Sequence, residues 1–336
     1  MIQHSKTYID RKAKHSMLEA FNNLNLSKGK INIDFTNKLS RFLNREYLNI
    51  TSSGTMAFYK ILIALNIKKG DEILIPNFIC NSILGPINQL NAIPIPYDNT
   101  KDNWLSNIEM ILKLVSKKTR IVLINHTFGY SFLEIKKLLE KLNSDIYIVE
   151  DCCQLLTKNS EILDLEISKY SICSFYSFNA TKLIATGEGG AISSYDKSFI
   201  SEIEKINIGD NLSDLSCSLG TSQLDQYDEF VKKRREIAEF YFEKINVKKT
   251  QSFRTIKSIF YRYPILVKNN SKFFHDKEIC FRKGVDNLID NVDAKKRLTN
   301  SLNLMNKIIS IPIYPSLKKI EAKRIVSKVN ELIHEN

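Results

Sequence analysis

Glycine and proline are scarce, at 11 and 7 of 336 residues, which excludes collagen-like, proline-rich and linker-dominated architectures. No apolar run approaches the length that crosses a bilayer, and the opening MIQHSKTYIDRKAKHS has no apolar core of a secretion signal. A cytoplasmic protein with no membrane span is therefore expected. The six cysteines, Cys80, Cys152, Cys153, Cys173, Cys217 and Cys280, form no C-x-x-C pair and no zinc-finger spacing. Reduced thiols are expected in place of a disulfide framework, and no metal site. Acidic residues are in deficit: 49 Lys and Arg stand against 37 Asp and Glu, a net charge of +12. The excess is scattered, with short clusters such as Lys232-Lys233-Arg234-Arg235 and no basic arm interleaved with aromatics, so nucleic acid is not the expected partner. A lysine-rich solvated surface accounts for the charge first, an anionic small-molecule substrate second.

What is present is ordinary for a soluble globular protein: 43% hydrophobic and 26% charged residues, in a chain long enough for a large domain and a smaller one. From about residue 50, apolar strand-like runs alternate with helical periods. Glu72–Pro76, Arg120–Asn125, Asp145–Glu150, Ser171–Ser177 and Gly190–Ser194 read as strands. Ile93–Tyr97 also does, but its prolines suit an edge or a strand terminus and not a sheet centre. Phe132–Leu142 has helical spacing. This alternation predicts an α/β domain with a largely parallel sheet covered on both faces. After Leu215 the pattern changes: Leu224, Tyr227, Phe230, Val231, Ile237, Phe240 and Tyr241 fit one long amphipathic helix. Beyond Asn246 a strand (Ile259–Val267), a helix (Lys272–Lys283), a strand (Ile308–Pro312) and a closing helix (Leu317–Ile333, burying Ile320, Ile325, Val326, Val329, Leu332 and Ile333) make a small α+β unit. The expected division is a helical segment 1–50, a large domain 51–214, a connecting helix 215–246 and a small domain 247–336.

In open α/β sheets ligands bind beyond the carboxyl ends of the strands. Four segments there draw notice. Thr51-Ser52-Ser53-Gly54-Thr55 precedes a helix, where free N–H groups and hydroxyls suit a phosphate or simply cap the helix. Glu150-Asp151 closes an apolar strand, as a loop carboxylate or as partner to a cationic ring nitrogen. Lys182 ends Ser174–Lys182; a desolvated lysine forms Schiff bases, whereas a surface lysine does nothing. Thr186–Gly190 is a glycine-dense turn before a strand, without the spacing or strand-to-helix context of a dinucleotide fingerprint, so a nicotinamide site is rejected.

Taken in order, these segments resemble the sugar aminotransferases of the DegT/DnrJ/EryC1/StrS family, enzymes that use pyridoxal 5'-phosphate (PLP). Residues 51–76 resemble its S-G-T-x-A helix and G-D-E-V strand, Asn125–Gly129 its V-H-x-x-G turn, and Glu150–Gln154 its E-D-x-A-Q. Ser177–Lys182 with Gly187–Gly190 is similar to S-F-x-x-x-K and G-E-G-G. Leu219–Leu224, Arg234–Ala238 and Ile311–Pro315 continue the match downstream. The resemblance implies an α/β protein of PLP-dependent transferase fold type I, with a mostly parallel seven-stranded sheet between helices and a small α+β C-terminal domain. It implies a homodimer with its sites at the interface. Lys182 would hold PLP covalently and then move the substrate proton, and Asp151 would pair with the ring nitrogen. Gly54, Thr55 and Ser177 would bind the phosphate, Gln154 would lie near the ring, and Asn179 near the phosphate or substrate. His126 would support Asp151 or simply pack. Asn211, Glu188 and Tyr314 are the implied substrate residues.

Two departures stand out. Pro76–Cys80 (PNFIC) puts Cys80 where the family stacks an aromatic ring on PLP, and Gly209–Leu212 replaces N-Y-R-M, leaving Asn211 to reach the partner subunit. The implied reaction moves an amino group from an L-amino acid, glutamate by expectation, to a keto sugar carried on a nucleotide, for surface polysaccharide synthesis. The alternatives are a dehydratase of the same family, which would have His in place of Lys182, and a non-catalytic regulatory or scaffold member, which would need neither Lys182 nor Asp151.

Overall fold

The computed structural model of the protein describes residues 1–24, 26–158, 167, 169–246, 258–289 and 298–334. Two helices open the chain, α1 (Arg11–Asn22) and α2 (Lys30–Leu43). The large sheet and its helices follow: β1 (Tyr47–Thr51), α3 (Gly54–Ala64), β2 (Glu72–Pro76), α4 (Leu84–Gln89), β3 (Ile93–Tyr97), α5 (Ile108–Leu112), β4 (Thr119–Asn125), α6 (Ile135–Leu139), β5 (Tyr147–Asp151), β6 (Cys173–Ser177), β7 (Gly190–Ser194) and α7 (Lys197–Lys205). The strand order is β1-β7-β6-β5-β4-β2-β3. All neighbours run parallel except β7, which is antiparallel to both β6 and β1. The proline-bearing β3 sits at the edge, where its missing donors face no partner.

Period-two alternation explains why the central strands read as continuous apolar runs. Along β4, Ile121 and Leu123 pack with Ala57, Phe58 and Ile61 of α3, while Val122 and Ile124 pack with Ile108 and Ile111 of α5 and Ile135 and Leu138 of α6. Both faces are buried, so both alternating sets must be apolar. Near the β1 edge, Phe35, Leu39 and Leu43 of α2 cover Tyr176 and Ala191.

The chain continues through α8 (Asp214–Asp225), α9 (Tyr227–Lys244), β8 (Tyr263–Leu266), α10 (Thr299–Met305), β9 (Ile308–Ile311) and α11 (Lys319–His334). β8 and β9 form an antiparallel pair, packed with Ala238 and Tyr241 of α9 and Ile325 and Val329 of α11. This core also takes in Phe78, Trp104, Phe128 and Tyr130 from the large sheet's loops. Asp98, just past β3, accepts hydrogen bonds from the backbone N–H groups of Asn300 (2.9 Å) and Ser301 (2.8 Å), capping α10 across the domain boundary. No helix among the described residues is long and apolar enough to cross a membrane.

Several elements differ from expectation. The single connecting helix is two, α8 and α9, separated at Gln226, which leaves the helical region (φ −102°, ψ 1°) while its side-chain amide bonds back to the Ser222 carbonyl at 3.1 Å. The helix over Lys272–Lys283 is only a 3₁₀ turn, Ser271–His275. Beyond it Ile279 pairs with Ile2, and Arg282 pairs with Ser310, so long-range backbone bonds displace the helical ones. The strand over Ile259–Val267 shortens to β8 because Phe260 sits in the left-handed region at φ +48°. The helix over Phe132–Leu142 contracts to α6, and β5 begins two residues later than expected and ends on Asp151. In α11, Ile325, Val326 and Val329 are buried and Leu332 and Ile333 half-buried, but Ile320 is 67% exposed. The first fifty residues are not helical throughout, because β1 begins at Tyr47 as an edge strand of the large sheet. Residues 247–257, 290–297 and 335–336 of the expected small domain lie outside the described residues.

Candidate active site

A cavity of about 350 Å³ opens at the carboxyl ends of the parallel strands. Its floor comes from segments that leave five strands of the sheet: Ser53–Thr55 after β1, Ile79 and Cys80 after β2, Asn125–Thr127 at the end of β4, Asp151–Gln154 after β5 and Ser177–Lys182 after β6. The small domain supplies the opposite wall, with Tyr261, Arg262, Arg282 and the segment Gly284–Asp286.

The turn before α3 is built tightly. The Ser53 hydroxyl accepts the Met56 N–H at 3.1 Å, capping the helix and leaving the N–H groups ahead of Met56 at its start. A Cβ at Gly54 would meet Ser177 Cβ at 3.0 Å and Cys153 Sγ at 3.2 Å, so the chain passes too close for a side chain there. A Cβ at Gly190 would come within 2.5 Å of the Ser53 carbonyl, which is why the strand after Gly189 begins with glycine. Hydroxyls and amide N–H groups gathered at a helix start make a cradle for an anion, and Ser177 borders it.

Lys182 stands in the turn after β6, which is closed by bonds from the Lys182 N–H to the Asn179 carbonyl and from the Ala180 N–H to the Gly187 carbonyl, 2.8 and 2.9 Å. Burial disfavours its ammonium form and Arg262 opposes it too. Tyr261, Cys153 and Asp151 more than compensate, and the pKa ends above the ordinary lysine value. Asp151 is 9% exposed; one carboxylate oxygen accepts the Cys153 N–H at 2.9 Å. A half-buried amine and a buried carboxylate thus share one cavity, electrostatically linked.

Gln154 lines the same floor, and its carbonyl oxygen is committed to the Phe128 N–H at 2.7 Å, leaving its amide nitrogen to face a ligand. Asn179 donates to Glu188 at 2.8 Å, so these two form one polar rim. Cys80 lines the cavity, exposed, with its sulfur accepting from Ser82 at 3.3 Å. The nearby Phe78 turns away and packs edge-to-face on Phe128 at 6.0 Å.

His126 takes the second of its two expected roles, a packed and satisfied histidine. Its ring supports Glu150 and not Asp151: Nδ1 accepts the Phe132 N–H at 3.3 Å, so Nε2 carries the proton and donates to Glu150 at 3.0 Å. Only the His126 backbone N–H reaches the Asp151 carbonyl, at 3.3 Å. Glu150 and Asp151 are neighbours on a strand, so their side chains leave on opposite faces. His126, Glu150 and Cys152 bring ligand-type atoms within 4.8 Å of one another, and the hydrogen bonds to Glu150 from His126 and Ser171 already occupy that cluster.

Of the sequence-derived residues, the cavity gathers Gly54, Thr55, Cys80, Asp151, Gln154, Ser177, Asn179, Lys182 and Glu188. It does not gather Asn211 or Tyr314. Asn211 is exposed, in a segment pinned by its neighbour Asp210, which pairs with the buried Lys60 at 3.5 Å. Tyr314 is buried in the small-domain core, where burial and Glu321 push its pKa up to about 12. Ser53, Asn125, Thr127 and Cys153 line the cavity from within the motifs given above, although none was assigned a role of its own. Tyr261 and Arg282 line it too and carry no local signal.

The residues present fit PLP: an anion cradle too close-packed for a Cβ, a carboxylate for a ring nitrogen, and an amine for an aldehyde carbon converge on one volume. The family model for DegT/DnrJ/EryC1/StrS aminotransferases matches residues 7–330. The chain is 24% identical over 335 residues to GDP-perosamine synthase of Escherichia coli O157:H7, covering 91% of each chain. It is 27% identical to the UDP-4-amino-4,6-dideoxy-N-acetyl-beta-L-altrosamine transaminase of Campylobacter jejuni, covering 96% of this chain and 95% of the other. Among solved structures, Helicobacter pylori PseC, an aminotransferase involved in the biosynthesis of pseudoaminic acid, superposes with a TM-score of 0.86 over 99% of each chain at 20% identity. Together with the sheet order, that likeness bears out the expected type I fold of PLP-dependent transferases.

Proposed function

The chain belongs to the DegT/DnrJ/EryC1/StrS aminotransferase family, and from that premise we propose that it transfers an amino group from an L-amino acid, glutamate by expectation, to a nucleotide-linked keto sugar in surface polysaccharide synthesis. The observation that carries this reading is the convergence of Lys182, Asp151 and the Ser53–Thr55 turn on one cavity. Two relatives named for nucleotide-linked amino sugars, a GDP-perosamine synthase and a UDP-linked 4-amino-sugar transaminase, support the acceptor class. A cytoplasmic homodimer, with Asn211 serving the partner subunit's site, belongs to the same proposal.

Each residue then has a task. When bound, PLP supplies an electron sink for the carbanion left by proton loss at the donor's Cα. Asp151 would hold the proton on the ring nitrogen through a charge-assisted contact, which the burial of its carboxylate strengthens. Ser53, Gly54, Thr55 and Ser177 would bind the phosphate and fix the ring's position. Lys182 would anchor the cofactor and, once free, carry the proton at Cα. Gln154 would orient the ring from its side, while Asn179 and Glu188 would meet substrate at the rim. Arg262 and Arg282 put positive charge on the wall a phosphorylated acceptor would face.

The test is a visible absorption spectrum of the purified protein with PLP, before and after L-glutamate. The bound-cofactor band should appear, convert on adding glutamate, and return on adding a nucleotide-linked 3-keto or 4-keto sugar. Borohydride reduction and peptide mapping should label Lys182, and Lys182→Ala should abolish turnover while PLP still docks through its other contacts. A label on another lysine, or no cofactor band, overturns the reading. Return of the band with only nucleotide-free keto compounds leaves a transaminase and removes the nucleotide.

A further inference from the structure

An amine attacks a carbonyl carbon only after losing a proton, and in a closed pocket that proton needs a nearby destination. The group facing Lys182 is Tyr261, in the segment leading into β8. Lys182 Nζ lies 5.3 Å from the centre of the Tyr261 ring, and both residues line the cavity. The tyrosine is 5% exposed and held by its backbone. The buried Arg234 donates from one guanidinium nitrogen to the carbonyls of Phe260, Tyr261 and Ile313, at 3.1, 3.0 and 2.9 Å. Arg262 also approaches the ring, placing its guanidinium carbon 5.6 Å from the same centre and donating to the Gly284 carbonyl at 3.3 Å. A phenol is thereby buried beside two cations, one of them the lysine that the reading above makes catalytic.

We propose that Tyr261 is the acid–base partner of Lys182, its phenolate taking the proton of the lysine ammonium and later returning it. An N–H bond breaks and an O–H bond forms. One positive and one negative charge vanish together, and no third reactant is consumed. The proton moves when the flexible lysine stem swings its ammonium from the ring face toward the hydroxyl. The other charged or titratable groups around the pair are Arg262 and Arg234 from the small-domain side and Asp151 and Cys153 from the end of β5. Burial alone would raise the phenol's pKa. Lys182 and then Arg262, with hydrogen-bonding help from Thr181 and Arg262, bring it down to about 8. The pair therefore sheds its first proton near pH 8, well below the usual ~10 of either group. A phenyl ring would serve the cation–π contact equally well; only the hydroxyl serves proton exchange.

This inference rests on Lys182 being the reactive lysine, yet it is measurable without cofactor. Ultraviolet difference titration of the cofactor-free full chain follows tyrosinate formation among its 14 tyrosines. One tyrosine equivalent should ionise near pH 8, vanish in Tyr261→Phe, and move up by about one pH unit or more in Lys182→Ala. Tyr261→Phe keeps the ring and its packing, and Lys182→Ala leaves the phenol in place, so the two variants check each other. With PLP, Tyr261→Phe should capture cofactor about tenfold more slowly at neutral pH, the rate recovering as pH rises. A step that persists in Tyr261→Phe, one unmoved in Lys182→Ala, or an unchanged capture rate overturns the proposal. A protein that binds no PLP yet shows the titration pattern overturns the aminotransferase reading and leaves the pair standing.

Discussion

Cys80 lines the cavity where the family's pattern has an aromatic ring, while the one aromatic close by in sequence, Phe78, is spent on packing Phe128. A thiol covers less of a ligand ring, and stacking is worth roughly 0.5–1.5 kcal/mol beyond burial. Cys80→Phe should therefore tighten PLP binding by a few-fold to about tenfold, read from equilibrium titration of the cofactor band; weaker binding would mean the ring has no room there. Glu150 gives a second test at this scale. Its carboxylate is fully buried and takes the Nε2 proton of His126 at 3.0 Å. Removing that donor in His126→Phe should cost about 1.5–3 kcal/mol in urea unfolding. An unchanged midpoint would show that the contact contributes nothing.

Among the elements, α2 depends on a residue 182 to 185 positions away. Gly29 at its N-cap has no side chain to offer, and the Asp214 carboxylate instead accepts the N–H groups of Gly29, Ile31 and Asn32 at 2.7, 3.1 and 2.9 Å. Asp214→Ala should lower unfolding free energy by about 2 kcal/mol or more, with Asp214→Asn in between, measured by chemical denaturation. The same dependence explains what was legible in the sequence. β2, β4 and β5 could be read from their own residues, because burial on both faces demands the apolar runs they show. The motif residues at the strand ends were equally readable, since each sits beside the strand that positions it. The helix expected over Lys272–Lys283 failed because Ile279 and Arg282 give their backbones to Ile2 and Ser310. The break at Gln226 has neither proline nor glycine to announce it. Tyr261 and Arg282 reach the site only through the docking of the small domain, which no local pattern encodes. Asn211 and Tyr314, assigned by resemblance alone, did not arrive in this cavity.

Over the whole molecule, the first few residues stitch into the small domain. The Ile2 N–H bonds the Glu278 carbonyl at 2.6 Å, the Cys280 N–H bonds the Ile2 carbonyl at 2.9 Å, and the buried His4 meets the Ser310 hydroxyl at 2.9 Å. Burial first, then Arg262, Arg282 and Arg234, holds the His4 pKa well below its ordinary value, so the folded protein keeps it neutral. Unfolded chain gains a proton there as pH falls through about 6.5, while folded chain does not. Stability is thus whole above that pH and declines below it, by at most about 1.4 kcal/mol per pH unit, until the folded histidine itself titrates. His4→Gln should flatten the fall in melting temperature between neutral and mildly acidic pH; an equal slope in both proteins would exclude His4 as its source. The stitch also sets an order of events during synthesis. Residues 2–4 leave the ribosome long before residues 278–310, the partners they close upon. The large sheet has all its strands by Ser194 and can gather while translation continues, but the opening of the chain must wait, unpaired, for its last third. A nascent chain stalled in α9 would hold a formed sheet with residues 2–4 still without their partners, open to chaperones and proteases until the small domain arrives and seals them.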